Sequence, residues 1–206
     1  MDKEILNKLT RVVGSNNIIL NKSEMSKYLI EWRGVYTGKA GAIIKPKSTK
    51  EVSKILKIAY STNTPIISQG GNTGLVGGQI SFDDNHIVLN LTRLNKVREI
   101  NTLDKSITVE SGLTLLELQN VCKKNSTLFP LSLASEGTCT IGGNISTNAG
   151  GVGVLYYGNT RNLVLGLEIV TPEGKIINTL STLIKDNTGY SLKDLFIGSE
   201  GTLGVI

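Results

Sequence analysis

The hydrophobic pattern at the start of the chain has helical spacing. Apolar residues three and four positions apart predict a helix over residues 3–13 and a second one over residues 23–30, with Ser23 as its N-cap. Residues 31–39 are polar and contain glycine, so they read as a connector. The N-terminal part of the chain is therefore predicted to be a helical lead-in to whatever follows.

After the connector the pattern changes to strand–helix–strand. The apolar run at 42–44 predicts a buried strand, residues 49–61 a helix with one apolar face, and residues 65–67 a further strand. A crossover of this kind makes its two strands parallel, and we expect them to be neighbours in the sheet. A glycine-rich segment, loop one (residues 68–78), follows at the carboxyl end of the second strand, where open α/β sheets bind ligands.

The second half of the chain favours hairpins, glycine loops and short helices over further crossovers. Pro172-Glu173-Gly174 is a strong turn signal between two apolar runs, and Thr114 precedes a helical pattern. A boundary near residue 100 therefore divides two units that each mix helix and strand. The remaining strands are predicted at 87–90 and 97–100 before this boundary and at 106–110, 163–171 and 175–178 after it, with a short helix over 191–196 and a strand entered from the glycines after residue 198.

Composition narrows the class of protein. The 206 residues are 39% hydrophobic with a net charge of +5, which suits one or two folded domains and excludes disorder. No apolar run reaches the ~18 residues of a membrane span, and the N-terminus lacks the apolar core of a signal peptide. We expect a cytoplasmic protein, with association at the periphery of the inner membrane as an open alternative.

Charged and metal-ligating residues exclude further classes. The 22 basic residues are scattered and form no run, so no nucleic-acid partner is expected. Cys122 and Cys139 suit free thiols in a reducing compartment, and the single histidine, His86, reads as a turn residue. The sequence predicts no metal site and no catalytic residue.

Glycine is the outlier, and its placement matters more than its number. Fifteen of the 23 glycines fall in three stretches, at 70–78, 137–158 and 198–204. Consecutive N–H groups in glycine-rich turns form anion-binding concavities, and pyrophosphate suits them. Neither the P-loop ending Gly-Lys-Ser/Thr nor the GxGxxG fingerprint occurs, which argues against kinases and typical NAD enzymes.

Loop two (residues 135–151) alternates hydroxyl side chains with bare backbone. It has no nucleophile–base pair, so a hydrolase is weakly supported. Two interpretations of Glu136 stay open: a residue for acid–base chemistry, and a solvated or helix-capping carboxylate. Two phosphate-competent glycine surfaces in separate units suggest one long ligand that spans both, and FAD has that shape.

The glycine motifs resemble a known family when they are taken together. Pro65–Gly78 is similar to the first FAD loop of the vanillyl-alcohol oxidase/p-cresol methylhydroxylase superfamily, and Ile141–Gly151 is similar to its second. Tyr157–Gly158, Val164–Glu168, Lys185–Tyr190 and Phe196–Gly204 continue the match, and Glu31–Gly34 resembles the family's N-terminal lead-in. The resemblance implies an α+β fold: a p-cresol-methylhydroxylase-type FAD-binding domain of two α+β subdomains.

Within the superfamily the chain resembles the FAD-linked D-2-hydroxyacid dehydrogenases, a group that includes D-lactate dehydrogenases and the glycolate oxidase FAD subunit. The Gln69–Gly74 and Lys185–Tyr190 motifs favour the D-2-hydroxyglutarate dehydrogenases. The implied activity is oxidation of a D-2-hydroxy acid to the 2-oxo acid, with hydride transfer to non-covalent FAD. Electrons would pass to an acceptor such as an electron-transfer flavoprotein or a quinone.

The resemblance also implies an organisation and a set of contacts. Residues 1–37 form the lead-in, 38–100 the first subdomain and 101–206 the second, which is truncated, with a C-terminal cap domain for the substrate absent. One alternative is a stand-alone FAD-binding subunit that acts only with a separate partner chain. Another is a related non-redox nucleotide enzyme, such as a transferase that uses a phosphosugar. The implied FAD contacts are Gln69, Gly70, Gly71, Asn72, Thr73, Gly74, Leu75, Gly78, Ser135, Thr140, Gly142, Gly143, Thr147, Gly150, Gly151, Val205 and Ile206.

Overall fold

The computed structural model describes residues 1–206, and its first part is built around a four-stranded sheet. The elements of this part are α1 (Lys3–Val13), β1 (Ile18–Ile19), α2 (Lys22–Leu29), β2 (Ala42–Ile44), α3 (Thr49–Ser61), β3 (Ile66–Gln69) and β4 (Ile87–Asn90). Strand β1 pairs antiparallel with β2, and both β2 and β3 pair parallel with β4, giving the order β1-β2-β4-β3.

The prediction that the two crossover strands are neighbours is wrong, although their parallel direction is confirmed. Strand β4 lies between β2 and β3 and pairs with both. All four β4 residues are buried and three of them are aliphatic, and such a strand gains most in the centre of a sheet, with partners on both edges. Because β3 is therefore an outer strand, loop one leaves the sheet at its edge.

The second part contains two separate hairpins surrounded by short helices. The elements are β5 (Val97–Asn101), β6 (Ser106–Val109), α4 (Leu115–Lys124), α5 (Ile141–Ser146), α6 (Val154–Tyr157), α7 (Thr160–Leu163), β7 (Glu168–Val170), β8 (Ile176–Asn178) and α8 (Lys193–Phe196). Strands β5 and β6 pair antiparallel, as do β7 and β8, and a single antiparallel bridge joins Val170 of β7 to Val205.

Three predicted details differ from the structure. The N-cap of α2 is Asn21, whose side chain accepts from the Ser23 N–H, so the helix begins before Ser23. The strand predicted over 163–171 is only three residues long, because α7 and an extended segment take up its start. Helix α5 lies inside loop two, where the glycines had suggested irregular backbone.

Buried side chains form one large cluster in each part of the chain. The first combines α1, β2, α3 and β4, and Val170 and Val205 pack into it from the second part. The second lies beneath α4, α5 and the segment around Phe196. The bridge between Val170 and Val205 thus brings the end of the chain against the first sheet, where it can meet loop one.

Candidate cofactor-binding site

A polar cleft of about 420 Å³ lies between loop one, loop two and the last residues of the chain. Only 7 of its 26 lining residues are hydrophobic, and its volume lies within the range of small-molecule sites. Loop one, which follows strand β3, forms one wall of the cleft, and α5 forms the opposite wall. The third side consists of the last residues of the chain, which the Val170–Val205 bridge fixes in place. The cleft is thus assembled from segments far apart in sequence.

Fifteen of the seventeen residues predicted to contact the cofactor line this cleft. From loop one they are Gln69, Gly70, Gly71, Asn72, Thr73, Gly74, Leu75 and Gly78, and from the rest of the chain Ser135, Thr140, Gly142, Gly143, Thr147, Val205 and Ile206. Gly150 and Gly151 do not line it. A Cβ on residue 151 would collide with the Ser132 carbonyl oxygen, so that glycine allows close backbone packing.

Loop one presents an unbroken series of backbone donors. None of the nine N–H groups from Gly70 to Gly78 donates a hydrogen bond within the protein. The Gly143 N–H on the opposite wall is also without an acceptor. Backbone N–H groups rarely lack a partner in a folded protein, and a consecutive set of them is suited to binding an anion.

The glycines of these loops are required by the packing of the loops against each other. A Cβ on Gly70 would collide with the Thr140 hydroxyl, and one on Gly71 with the Thr138 carbonyl oxygen. A Cβ on Gly142 would lie 2.6 Å from that of Ser111. The expectation that these glycines leave room mainly for phosphates is therefore incomplete, since loop two itself already occupies that space.

Thr140 carries a buried hydroxyl without a partner. The residue is 3% exposed. It occupies the N-cap position of α5, but its Oγ1 atom makes no hydrogen bond. The atom lies between Gly70 and Gly143, on the surface of the cleft. A buried hydroxyl left unpaired costs about 1–3 kcal/mol, so a ligand acceptor in the cleft would remove that cost.

The side chains of Gln69 and Asn72 face the protein and help to fix loop one. Gln69 is 2% exposed and donates to the carbonyl oxygens of Tyr28, at 2.8 Å, and Gln79, at 3.1 Å. Asn72, with a φ of 56°, donates to the Ile30 carbonyl at 2.9 Å. Both side chains are therefore engaged as donors, and Asn72 Oδ1 is left buried without a hydrogen-bond partner.

An ion pair between the buried Glu31 and the exposed Arg33 lies beneath loop one, and no contact was predicted from the sequence for either residue. Glu31 is 1% exposed and accepts from Arg33 Nε at 3.0 Å, and the Arg33 guanidinium also donates to the Leu75 carbonyl. Burial raises the pKa of Glu31, but hydrogen bonds from Arg33 and the Val35 N–H outweigh it, so the pKa lies below its ordinary value. The connector after α2 is thereby joined to loop one.

Eleven further lining residues were not predicted. Seven of them lie inside the motifs that carry the family resemblance, at 65–78, 141–151 and 196–204, but no contact was assigned to them; the other four enter the cleft because of the fold around them. Ser111, for example, comes from the segment after β6, and its carbonyl accepts from the Gly142 N–H at 2.7 Å. The eleven are Ser68, Val76, Gln79, Leu91, Ser111, Leu133, Asn144, Ser146, Ala149, Glu200 and Gly204.

A second cavity, of about 210 Å³, differs in chemistry. Hydrophobic residues supply 17 of its 30 lining positions, mainly from the β5–β6 hairpin, α5 and residues 163–170. Its free backbone N–H groups occur in short pairs such as Leu165–Gly166 and Ser181–Thr182, whereas loop one has nine in a row, so the polar cleft is the better candidate for a charged ligand. No group of three metal-ligating side chains is found, and no helix has the length and apolar character to cross a membrane.

Comparison with known proteins decides the family. Residues 40–180 match the family model described as an FAD binding domain. The chain belongs to this FAD-binding domain family. FAD is therefore its cofactor, and the cleft suits that group: free N–H groups and an unpaired buried hydroxyl face the same space.

Curated relatives of this FAD-binding domain are named for hydroxyacid chemistry. It is 45% identical over 177 residues to the mitochondrial D-2-hydroxyglutarate dehydrogenase of Danio rerio, which covers 86% of the chain and 33% of the relative. It is 41% identical to the D-2-hydroxyglutarate–pyruvate transhydrogenase of Saccharomyces cerevisiae, over 95% of the chain and 40% of the relative. The chain spans a third to two fifths of the length of these relatives.

A solved structure supports the α+β fold of the FAD-binding domain. Alkyldihydroxyacetonephosphate synthase superposes with a TM-score of 0.86 at 22% identity, over all of this chain and 38% of the other. At that identity the likeness establishes the fold alone. The predicted fold class is confirmed.

Proposed function

We propose that the chain is the FAD-binding part of a flavoprotein that oxidises a D-2-hydroxy acid to the 2-oxo acid. The observation that carries the FAD-binding part of the proposal is the unbroken series of free N–H groups in loop one, beside the unpaired Thr140 hydroxyl. Bound FAD supplies a two-electron acceptor for the hydride of the substrate α-carbon, while the hydroxyl proton leaves to a base. The names of the relatives support the 2-hydroxyglutarate class, with lactate and glycolate as competing substrates.

The backbone of loop one is proposed to hold the pyrophosphate of FAD. The N–H groups of residues 70–75 supply donors, and Thr140, Gly142, Gly143, Ser135 and Thr147 line the other half of the site. Val205 or Ile206 is proposed to reach the adenine or ribose through main-chain atoms, and Ile206 is the freer of the two because the Val205 N–H and carbonyl pair with Val170. A hydrogen bond between neutral groups contributes little net free energy, whereas one from an N–H group to a charged phosphate oxygen contributes about 1.5–3 kcal/mol.

FAD is proposed to be bound without a covalent link. Asn72 and Thr73 occupy the part of loop one where a tethering side chain would lie, and neither forms a stable bond to a flavin. The Asn72 amide is already engaged with the Ile30 carbonyl. Release of free FAD on denaturation, with no flavin left on the protein, is the expected result.

We propose that this chain supplies no catalytic residue. The division into a lead-in (1–37), a first subdomain (38–100) and a second (101–206) assigns all of it to cofactor binding. Substrate recognition then depends on polypeptide corresponding to the remainder of the relatives, such as a cap domain. The proposed electron acceptor is an electron-transfer flavoprotein, a quinone or a similar carrier, and the proposed location is cytoplasmic, although the Danio rerio relative is named mitochondrial.

A chimera tests this function. This chain would replace the aligned segment of the Danio rerio relative, and the purified chimera would be mixed anaerobically with D-2-hydroxyglutarate, D-lactate or glycolate. The proposal predicts loss of the oxidised flavin absorbance near ~450 nm with at least one D-2-hydroxy acid and none with its L-enantiomer. A chimera that binds FAD but is reduced by none of these acids would contradict the proposal.

The alternative is a stand-alone FAD-binding subunit that works with a separate partner chain. Recovery of flavin reduction when this chain is mixed with a separately produced remainder of that relative would support the alternative over the single-chain form.

A further inference from the structure

Three side chains outside the predicted site hold carbonyl groups of loop one. Asn90 Nδ2 donates to the Gly70 carbonyl at 3.1 Å, and Gln79 Nε2 donates to the Gly74 carbonyl at 2.8 Å. The Arg33 guanidinium donates to the Leu75 carbonyl. Each of the three therefore acts on a peptide group in the segment whose N–H groups are free.

The geometry of the peptide bond converts these contacts into an orientation of the donors. In a planar trans peptide the C=O of one residue and the N–H of the next point in opposite directions. Fixing the carbonyls of residues 70, 74 and 75 therefore directs the N–H groups of Gly71, Leu75 and Val76 away from the holding side chains. All three N–H groups are without acceptors in the protein.

The holding side chains are themselves fixed. Asn90 is 2% exposed, and its Oδ1 accepts from the Thr92 hydroxyl at 2.6 Å. Arg33 is oriented by the buried carboxylate of Glu31. Gln79 packs against Gly74, where an added Cβ would lie 2.8 Å from Gln79 Oε1. Such prior orientation means that the loop need not reorganise when an anion arrives.

We infer that Gln79, Asn90 and Arg33 are positioning residues of the cofactor site, which set the direction of the loop-one N–H groups toward the FAD pyrophosphate. They act through the backbone and need not touch FAD themselves. The inference rests on the FAD-binding role of loop one, as does the proposed function, but it is independent of the hydroxy acid.

Gln79→Met is the most direct test, because methionine keeps the length of the side chain and removes its donor. The matched control is Gln119→Met, since Gln119 Nε2 makes the same kind of bond, to the Leu131 carbonyl at 2.9 Å, away from the cleft. FAD dissociation constants are measured by flavin fluorescence titration, and the melting temperatures of the FAD-free proteins are measured alongside. Arg33→Met provides a second variant of the same class.

The inference predicts that Gln79→Met and Arg33→Met raise the Kd for FAD about tenfold, a loss of about 1.4 kcal/mol. Gln119→Met changes Kd less than twofold even where it lowers the melting temperature as much. Replacing Gln79 by lysine, which keeps a donor for the Gly74 carbonyl, restores most of the affinity. The visible circular dichroism of the bound flavin differs between Gln79→Met and wild type, because the dinucleotide is seated differently.

Equal FAD affinity in wild type and Gln79→Met would overturn this inference and leave the proposed function standing. Equal losses of affinity in Gln79→Met and Gln119→Met would also overturn it, because the effect would then follow general stability. Failure of the folded wild-type chain to bind FAD would overturn the inference and the proposed function together. Failure of the chimera to oxidise hydroxy acids, with the predicted Kd changes intact, would overturn the function alone.

Discussion

The carbonyl oxygen of Thr138 lies where a Cβ atom on residue 71 would have to be placed. Loop one and loop two therefore touch backbone to backbone. This contact closes one end of the cleft and explains why a glycine is required at position 71 even before a ligand is considered. It also separates glycines that serve loop packing from those that border open space.

Gly71→Ala is expected to destabilise the FAD-free protein by roughly 1–3 kcal/mol, because either the Thr138 carbonyl or loop one must move. Thermal unfolding without FAD measures this effect. The control is Gly137→Ala, in loop two next to Thr138, since its new Cβ would meet only Leu116 Cδ2, at 4.0 Å. Equal melting temperatures for the two variants would show that the loops do not pack as described.

Gly143→Ala is expected to separate stability from cofactor binding. Its Cβ would meet only Thr140 Oγ1, at 3.4 Å, and alanine favours the helical conformation of α5 by roughly 0.5–1 kcal/mol. The melting temperature without FAD should therefore hold or rise, whereas FAD affinity should fall because the methyl group enters the cleft. Calorimetric titration with FAD measures the second effect, and an unchanged affinity would place the ligand elsewhere.

Thr140→Val and Thr160→Val should act on stability in opposite directions. The Thr140 hydroxyl is buried and unpaired, so its removal should stabilise the FAD-free protein by about 1 kcal/mol and weaken FAD binding roughly five- to tenfold. The Thr160 hydroxyl donates to the Ala149 carbonyl at 2.7 Å, so its removal should destabilise. Denaturant unfolding of both variants distinguishes the two cases, and a destabilised Thr140→Val would contradict an unpaired hydroxyl.

Acid should weaken the Glu31–Arg33 pair. The pKa of Glu31 in the folded protein lies below its ordinary value of 4.5, so its stabilising contribution is present above that value and lost as pH falls through the lower, folded pKa. The melting temperature of Glu31→Gln should therefore lie below that of wild type near neutral pH, and the gap should narrow between about pH 5 and about pH 3.

The control for this titration is Glu99→Gln, because Glu99 is exposed and forms no ion pair. Its melting temperature should follow that of wild type across the same pH interval. A gap between wild type and Glu31→Gln that does not change with pH would show that the carboxylate of Glu31 is not the group that matters.

Local signals predicted much of the fold. The helices over 3–13 and 49–61 follow from apolar spacing, and Ser48 is the N-cap of the second of them. The strand order did not follow, because three parallel apolar segments can be arranged in several ways. Only the burial of every β4 residue places that strand in the centre.

The candidate site was predictable where the family motifs mark it. The resemblance implied fifteen of the lining residues, most of them in the glycine loops, but it assigned no contact to Gln79, Arg33 or Glu31. Their roles arise from contacts over long separations, such as the bond from Arg33 to the Leu75 carbonyl, 42 residues away. No local pattern encodes such a contact, since tertiary packing creates it.

The central claim is that the free N–H groups of loop one bind FAD, and amide chemical shifts test it most directly. The ¹⁵N-labelled chain is titrated with FAD, and its amide resonances are compared with those of the FAD-free protein. The account predicts that the amides of residues 70–78 shift strongly on binding, while that of Gly14, at the end of α1, stays in place. Saturable FAD binding that leaves the amides of residues 70–78 unshifted would contradict it.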